Sequence, residues 1–305
     1  MKFYDLKLQY RKIKKSIDKD LNRNFIDGDF IQGENVKRFE ESILKYTNSK
    51  YSLSCANGTD ALKIAIKALE LKKNTYVIVP SYTWISTASS VIETGLKPLF
   101  CDVDLKSFVI SPNSLKNCIN FAKRNNYKIS GVISVDLFGN PVDYYALKKI
   151  CKKNNIKFIS DAAQSFGAKF KNKYVGSGLC DALTTSFFPT KTLGCYGDGG
   201  AVFFNNLSTF KRARIFSKNG QYDGQILGSG INSRLDTIQA SILLTKLKFF
   251  KTETLVRDKI SRIYRENLTK KNYIFQDINI KNFSGNSVFT VFLKKHIDRN
   301  ILIKY

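Results

Sequence analysis

The amino-acid sequence predicts an α/β fold in which helices cover both faces of a mainly parallel sheet. Short apolar segments recur from about residue 50 onward, and segments with apolar residues at helical spacing separate them. This alternation is typical of parallel strands that are buried on both sides and joined by helices. We interpret five apolar segments as strands: 76–79, 98–101, 131–135, 156–160 and 201–204.

Helical spacing of apolar residues supports the same fold before and between these strands. Two helices are predicted ahead of the first strand, at 5–22 and 35–47, and the glycine-containing stretch 27–33 joins them. A long helix begins near Leu235 and continues through Leu247. Further helices are predicted at 59–70, 83–93 and 143–154.

The last part of the chain differs in character from the rest. The tail 273–305 contains the strand-like segment 287–292 and one further helix start. We therefore predict two domains. Residues 1–245 form an N-terminal arm and a large domain, and residues 246–305 form a connecting helix and a small α/β domain.

The charge balance narrows the classes of ligand. Fifty Lys and Arg residues against 25 Asp and Glu residues give a formal net charge of +25. This surplus favours anionic ligands and permits weak attraction to nucleic acid. The lysines are scattered over predicted helix faces along the whole chain, however, and no nucleic-acid-binding motif accompanies them. We expect an anionic small-molecule substrate and no specific nucleic-acid partner.

Membrane and metal-binding classes have little support. No segment approaches the roughly 18 consecutive apolar residues of a membrane span, and the start of the chain lacks the apolar core of a signal peptide. We expect a cytoplasmic protein with no membrane partner. The six cysteines form no CxxC pair and His296 is the only histidine. We therefore expect neither a metal site nor a disulfide framework.

Two predicted strands end in loops suited to an anion and a cation. Gly58 and Thr59 begin a helix directly after a strand, where free N–H groups and the helix dipole favour a phosphate. An ordinary helix cap by Asn57 or Thr59 explains the same residues. Asp161 follows the strand 156–160, and its carboxylate suits a cationic ring nitrogen, a metal or a helix cap. No neighbouring His or Glu supports the metal.

Two further loops contain an unusual lysine and the only tryptophan. Lys191 stands among aromatic and apolar residues and is followed by several glycines. Desolvation lowers the pKa of such an amine, which then forms an imine with a carbonyl. A lysine extending from a loop edge into solvent is the alternative. Trp84 follows a strand end, as a core residue or as a flat lid over an aromatic ring. Together the four loops meet the needs of one cofactor with a phosphate and a ring.

Four segments carry a resemblance to a known family: NGTDAL, DAAQSFGA, TSFFPTKTLGCYGDGGA and NSRLDTIQA. With them the chain resembles the DegT/DnrJ/EryC1/StrS sugar aminotransferases from its first residues to about residue 300. The resemblance implies the pyridoxal-phosphate-dependent transferase fold type I, with a mainly parallel seven-stranded sheet. It also implies pyridoxal 5'-phosphate as the cofactor of the large domain.

The resemblance implies a role for each matching residue around the cofactor ring. Lys191 would form the Schiff base with the aldehyde, and Asp161 would hold the pyridinium nitrogen. Gln164 would contact the ring hydroxyl, and Trp84 would stack on the ring. Some members of the family are pyridoxamine-dependent dehydratases with histidine at the position of Lys191. The lysine therefore favours transamination.

The remaining matching residues concern the phosphate and the substrate. Gly58, Thr59 and Ser186 would bind the phosphate. Asn232 would reach the phosphate in the neighbouring subunit, which implies a homodimer with shared active sites. The sequence of these segments most resembles the branch of the family that aminates UDP-2-acetamido-2-deoxy-3-oxo-glucuronate with glutamate. That branch acts in cell-surface polysaccharide or O-antigen sugar biosynthesis. In that branch Arg234 would pair with the substrate carboxylate, as a guanidinium does in a bidentate contact.

The resemblance has departures. Asp136 and Asn219 stand where many members have histidine, and the chain ends before the C-terminal His-Tyr-Pro segment of the family. We therefore expect the small C-terminal domain to be incomplete. This leaves an alternative function open, in which a weakly active or inactive member binds the cofactor and acts as a regulatory or scaffold protein. A dinucleotide enzyme is disfavoured because the glycines at 194–200 do not form GxGxxG.

Overall fold

A seven-stranded sheet forms the centre of the computed structural model, which describes residues 4–47, 49–176, 178–268, 272–295 and 297–304. The strands are, in chain order, β1 (Tyr51–Cys55), β2 (Tyr76–Pro80), β3 (Lys97–Cys101), β4 (Ile129–Val135), β5 (Lys157–Asp161), β6 (Lys169–Phe170), β7 (Lys173–Tyr174), β8 (Ala182–Ser186), β9 (Gly200–Phe204), β10 (Gln221–Tyr222), β11 (Gln225–Ile226), β12 (Tyr273–Phe275) and β13 (Val291–Leu293).

The order of strands in the large sheet is β1-β9-β8-β5-β4-β2-β3. Strand β9 runs antiparallel to both of its neighbours, and the other six strands run parallel to one another. The prediction of a mainly parallel, seven-stranded sheet is therefore confirmed. All five predicted strand segments lie in this sheet, each within two residues of its expected bounds.

The helices are α1 (Leu6–Asp27), α2 (Glu34–Leu44), α3 (Gly58–Ala68), α4 (Ser86–Glu93), α5 (Pro112–Arg124), α6 (Tyr144–Lys153), α7 (Leu207–Ser217), α8 (Thr237–Leu247), α9 (Phe250–Asn267) and α10 (Arg299–Lys304). They cover both faces of the sheet, because two hydrophobic clusters divide the strands by alternate residues. Ile78 belongs to a cluster that contains residues of α2, α5, α6 and α8, whereas its neighbours Val77 and Val79 belong to one that contains residues of α3, α4 and α7. None of the helices in the described residues is long and apolar enough to cross a membrane.

The structure corrects one element of the tail. The strand predicted at 287–292 forms only as β13, which pairs with β12. Upstream of it, Ser284 Oγ and the N–H of Gly285 donate hydrogen bonds to the Gly139 carbonyl. These contacts direct the chain across the loop after β4, so the prediction was wrong for residues 287–290. The predicted helix after Leu235 is confirmed as α8. The proposed division of the chain at residue 245 stays a prediction.

Asp136 lies in a buried polar network at the carboxyl end of β4. Its carboxylate accepts hydrogen bonds from the Tyr144 hydroxyl at 2.7 Å, the Ser165 hydroxyl at 2.8 Å and the Val142 N–H at 3.0 Å. The Tyr144 hydroxyl also lies 2.7 Å from Ser160 Oγ. Complete burial raises the pKa of Asp136 to about 7, although the three hydrogen bonds oppose the shift. Asp136 therefore joins β4, α6 and the loop after β5.

We expect an Asp136→Asn variant to change how stability depends on pH. The pKa of Asp136 is raised from 3.8 to about 7, so its carboxyl group stabilises the fold at low pH. Between these values each pH unit costs the wild-type protein about 1.4 kcal/mol. The variant lacks this loss, so its stability relative to wild type should rise by on the order of 3 kcal/mol between pH 5 and pH 8.

Urea unfolding at both pH values measures this difference. An Asp143→Asn variant is the control, because Asp143 is exposed and caps the neighbouring helix α6, a role that asparagine also fills. Parallel pH profiles for wild type and Asp136→Asn would contradict the assignment of a buried, protonated carboxyl group.

Candidate active site

A cavity of about 410 Å³ opens at the carboxyl ends of the parallel strands. The loops after β1, β2, β5 and β8 all contribute to its wall, as expected for a ligand site in a parallel sheet. The structure brings together seven of the nine predicted site residues here: Gly58, Thr59, Trp84, Asp161, Gln164, Ser186 and Lys191.

The first turn of α3 forms one wall of the cavity. Asn57 caps the helix, because its side-chain oxygen accepts a hydrogen bond from the Asp60 N–H at 2.8 Å. The cap leaves the N–H groups of Gly58 and Thr59 without an acceptor inside the helix. A Cβ on Gly58 would lie 2.8 Å from the Cβ of Ser186, so only glycine allows this approach of α3 to β8. The helix cap and the anion site are thus compatible interpretations of one loop.

Asp161 is the last residue of β5 and is 8% exposed. One carboxylate oxygen accepts a hydrogen bond from the Ala163 N–H at 2.9 Å. Burial raises the pKa of Asp161, whereas this hydrogen bond and the positive charge of Lys191 oppose the rise. A cation inside the cavity would strongly stabilise the charged form of Asp161, because little water reaches this carboxylate.

Lys191 follows β8 in a turn, and its backbone N–H donates a hydrogen bond to the Phe188 carbonyl at 2.9 Å. Its side chain is half-buried, and its amine has no hydrogen-bond partner among the residues that the structure describes. Burial lowers the pKa of Lys191, and the nearby Asp161 carboxylate opposes the shift. A lowered pKa increases the fraction of neutral amine, which is the nucleophilic form.

Three more predicted residues complete the wall. Gln164 Oε1 accepts a hydrogen bond from the Phe138 N–H at 2.8 Å, so its amide nitrogen remains as a donor. Ser186 Oγ accepts one from the Phe188 N–H at 3.2 Å. Trp84 is 73% exposed, which excludes the core position and leaves the indole at the rim of the cavity.

The sequence did not lead us to several other residues of the cavity. The hydroxyl of Thr59 donates to Ser86 Oγ at 3.1 Å, which joins the first turns of α3 and α4. Helix α4 itself was predicted at 83–93, and the dense run of Ser and Thr after β2 was a usable signal that its first turn contributes polar groups to the cavity. The unpredicted polar residues of the wall are Asn57, Thr83, Ser86, Thr87, Thr190 and Asp198.

Asn232 and Arg234 lie outside this cavity. They line a separate cavity of about 300 Å³, together with Gln32, Arg214 and Lys218. Asn232 is exposed and Arg234 is half-buried. The structure therefore does not bring these two residues to Lys191 within one chain. Their predicted contribution to the site of a neighbouring subunit stays a prediction.

The groups in the main cavity fit pyridoxal phosphate. The open first turn of α3, with the N–H groups of Gly58 and Thr59, and the hydroxyl of Ser186 suit its phosphate. Asp161 suits a protonated ring nitrogen, and Lys191 suits its aldehyde. Within the described residues, no group of three or more His, Cys, Asp or Glu side chains is arranged to hold a metal ion.

Known proteins resemble this chain along nearly its whole length. It is 38% identical to the UDP-2-acetamido-2-deoxy-3-oxo-D-glucuronate aminotransferase of Pseudomonas aeruginosa, over 95% of this chain and 79% of that protein. It is 36% identical to a protein of Geobacillus stearothermophilus named pleiotropic regulatory protein, over 85% of this chain and 68% of that protein.

Solved structures agree with the fold. A DegT DnrJ EryC1 StrS aminotransferase from Brucella abortus has a TM-score of 0.91 and 34% identity, and the match covers 97% of this chain and 79% of that one. DesV of S. venezuelae, solved with a ketimine intermediate, has a TM-score of 0.92 and 26% identity, covering 99% and 79% of the two chains. Aminotransferases of this family depend on pyridoxal phosphate. Residues 11–304 match the family directly, and the chain belongs to the DegT/DnrJ/EryC1/StrS aminotransferase family.

Proposed function

We propose that this protein transfers an amino group from glutamate to a keto sugar nucleotide. The observation that carries the proposal is the arrangement of Lys191 and Asp161. A half-buried amine with no hydrogen-bond partner among the described residues faces the same cavity as a buried carboxylate, and each shifts the pKa of the other. Pyridoxal phosphate bound there supplies an electron sink that stabilises negative charge on the reacting carbon.

Asp161 maintains the charge that the electron sink needs. Its carboxylate is buried at the end of a central strand, and the rigid sheet fixes its position. A buried carboxylate beside a ring nitrogen keeps that nitrogen protonated, because separating the two charges is costly in a site with little water. The Ala163 N–H holds one of its oxygens and leaves the other for the ring nitrogen.

Lys191 moves the proton. With the cofactor bound, Lys191 would hold its aldehyde, and the neutral amine that glutamate frees would serve as the base for the glutamate Cα proton. The same amine would return a proton to the cofactor, and water would release 2-oxoglutarate. Lys191 would then serve the second half-reaction in the same way, with the keto sugar as the amino acceptor. Burial favours the neutral form of Lys191 that this base role requires.

We also propose the substrate class and the assembly. The similarity to the Pseudomonas enzyme supports UDP-2-acetamido-2-deoxy-3-oxo-glucuronate or a related keto sugar, and thus a role in the cytoplasmic synthesis of surface-polysaccharide sugars. The net charge of +25 favours such an anionic substrate. Arg234 is proposed to bind its carboxylate. In our proposal Asn232 and Arg234 act in the active site of the partner in a homodimer.

A regulatory role is the second candidate, and the relative named pleiotropic regulatory protein favours it. A regulator that keeps the cofactor but not the reaction would bind pyridoxal phosphate without responding to glutamate. The absorbance of the purified protein distinguishes the two functions, because glutamate shifts the cofactor spectrum only where the first half-reaction proceeds.

A Lys191→Ala variant should lose transamination while keeping its fold. The variant lacks both the imine-forming amine and the base, so turnover should fall by at least about 10⁴-fold. Stopped-flow absorbance after glutamate addition measures the first half-reaction. Lys152→Ala is the matched control, since Lys152 is exposed on α6. A Lys191→Ala protein that still transaminates would refute the assignment.

An Asp161→Asn variant should retain cofactor binding and lose rate. The amide keeps the size of the side chain but removes the negative charge, and loss of one preorganised electrostatic partner commonly costs about 10² to 10³ in kcat. Cofactor content comes from absorbance after alkaline release, and the rate from turnover assays. Asp143→Asn is the control, because Asp143 is exposed and lies outside the cavity. Wild-type kcat in Asp161→Asn would remove Asp161 from the mechanism.

Mixing inactive subunits tests the shared site. Lys191→Ala and Arg234→Ala subunits should each be inactive alone. After co-expression, a heterodimer retains one intact site, so random pairing should restore about a quarter of wild-type activity. Lys191→Ala mixed with Asp161→Ala is the control and should restore none. Lys191 and Asp161 line one cavity of a single chain, so each subunit of that heterodimer lacks one of the two residues in its own cavity. Equal recovery in both mixtures, or none in either, would argue against shared sites.

A further inference from the structure

Residues 192–195, between Lys191 and β9, are buried although they form neither helix nor strand. Thr192 is 4% exposed, Leu193 3% and Cys195 0%. A buried irregular backbone needs hydrogen-bond partners from outside, because no ladder or helix satisfies its polar groups. Side chains of α8 and α9 provide three of these partners, and the Phe187 carbonyl accepts a hydrogen bond from the Cys195 N–H.

Lys246 holds the middle of this segment. It lies in the last turns of α8 and is 4% exposed, and its ammonium donates a hydrogen bond to the Gly194 carbonyl. The same ammonium lies 4.4 Å from the centre of the Tyr196 ring, a cation–π distance. Among the described residues, the Gly194 carbonyl is its only hydrogen-bond acceptor.

Two more side chains bind the same segment on either side. Arg257 of α9 donates from Nη1 to the Thr192 carbonyl at 2.9 Å. Gln239 of α8 accepts a hydrogen bond from the Tyr196 N–H at 3.0 Å. Every second residue, at 192, 194 and 196, is therefore bound by a side chain from α8 or α9.

The tight turn around Gly194 connects this anchoring to Lys191. A Cβ on Gly194 would lie 2.5 Å from the Pro189 carbonyl oxygen and 2.6 Å from that of Phe188. The segment thus folds back onto the residues directly before Lys191, and the N–H of Lys191 itself donates to Phe188. Movement of Gly194 would displace the backbone that carries the Lys191 side chain.

We propose that Lys246 and Arg257 are positioning residues that hold the Lys191 amine opposite Asp161 by binding the main chain after it. The inference rests on the proposed function only in the role given to Lys191. Burying a cation costs desolvation energy that a neutral side chain would avoid, so stability alone does not explain the two cations at these positions. Glu253, the acidic group that acts on both cations, makes no ion pair with either at salt-bridge distance in the described residues.

The test uses the full-length, cofactor-loaded protein with Lys246→Met and Arg257→Met variants. Methionine retains much of the side-chain volume and removes the donor. Amide hydrogen exchange in the peptide 190–199 should accelerate by about tenfold in each variant, which corresponds to about 1.4 kcal/mol. We expect kcat to fall by a similar factor, with the KM for the amino donor changed by less than about twofold.

Lys248→Met is the matched control, because Lys248 is an exposed lysine two residues after Lys246, at the end of α8. It should leave exchange and kinetics unchanged. If the Lys246 variant does not fold, the Arg257 variant alone decides the matter. Unchanged exchange in 190–199, or a fall of KM and kcat together with accelerated exchange throughout the chain, would overturn the proposal. If exchange in 190–199 accelerates in the variants but the wild-type protein does not transaminate, the proposed function is rejected and the anchoring stands.

Discussion

The rest of the site depends on the electrostatic pairing of a poorly hydrated amine with a buried carboxylate. Burial disfavours the charged forms of both Lys191 and Asp161, and each charge partly restores the other. A cation closer to Asp161, such as a protonated ring nitrogen, would satisfy the carboxylate and weaken its support for the ammonium of Lys191. Occupation of the cavity should therefore release Lys191 toward the neutral form, and in the proposed mechanism one carboxylate would both hold the ring and activate the base.

The sheet makes this pairing possible by bringing distant loops to one edge. β1, β5 and β8 run parallel, so their carboxyl ends open on the same side, whereas β9 enters between β1 and β8 in the opposite direction. Close packing at that point requires glycine. A Cβ on Gly200 would lie 2.4 Å from the Asn57 carbonyl oxygen, just as one on Gly58 would meet Ser186. Both glycines allow two segments of the chain to approach closely, and together they let the loop before α3 lie against β8 and β9.

The sequence predicted the parts whose signal is local. Apolar strands such as β2 and β4 were found because buried parallel strands have an uninterrupted apolar pattern. β8 was not, because its sequence ALTTS is half polar; its threonines are buried and donate to the carbonyls of Ser160 and Ala162. Helix α5 was overlooked although Ser111 caps it and Pro112 opens it. That signal was present in the sequence, and the omission was avoidable.

The motifs also predicted which side chains share the main cavity, but not how they are held there. A lysine on a helix is usually predicted to be exposed to solvent, and no neighbouring residue in the sequence indicates that Lys246 is buried. Its acceptor, Gly194, is 52 residues away. The burial of Asp136 was equally hidden, because its donors come from two separate parts of the chain: Val142 and Tyr144 around the start of α6, and Ser165 in the loop after β5. Tertiary packing alone decides whether such charged side chains face water or the interior.

Positioning and global stability are separable at Lys246. Burying an ammonium whose only acceptor in the described part of the chain is a carbonyl costs desolvation energy, and the lowering of the pKa of Lys246 to about 8 reflects that cost. An apolar side chain of similar shape avoids the cost, so the fold as a whole gains little from the cation and the ordered segment gains most. The anchoring of 192–196 is therefore a local constraint, paid for by the surrounding core, whose benefit is the fixed position of one amine.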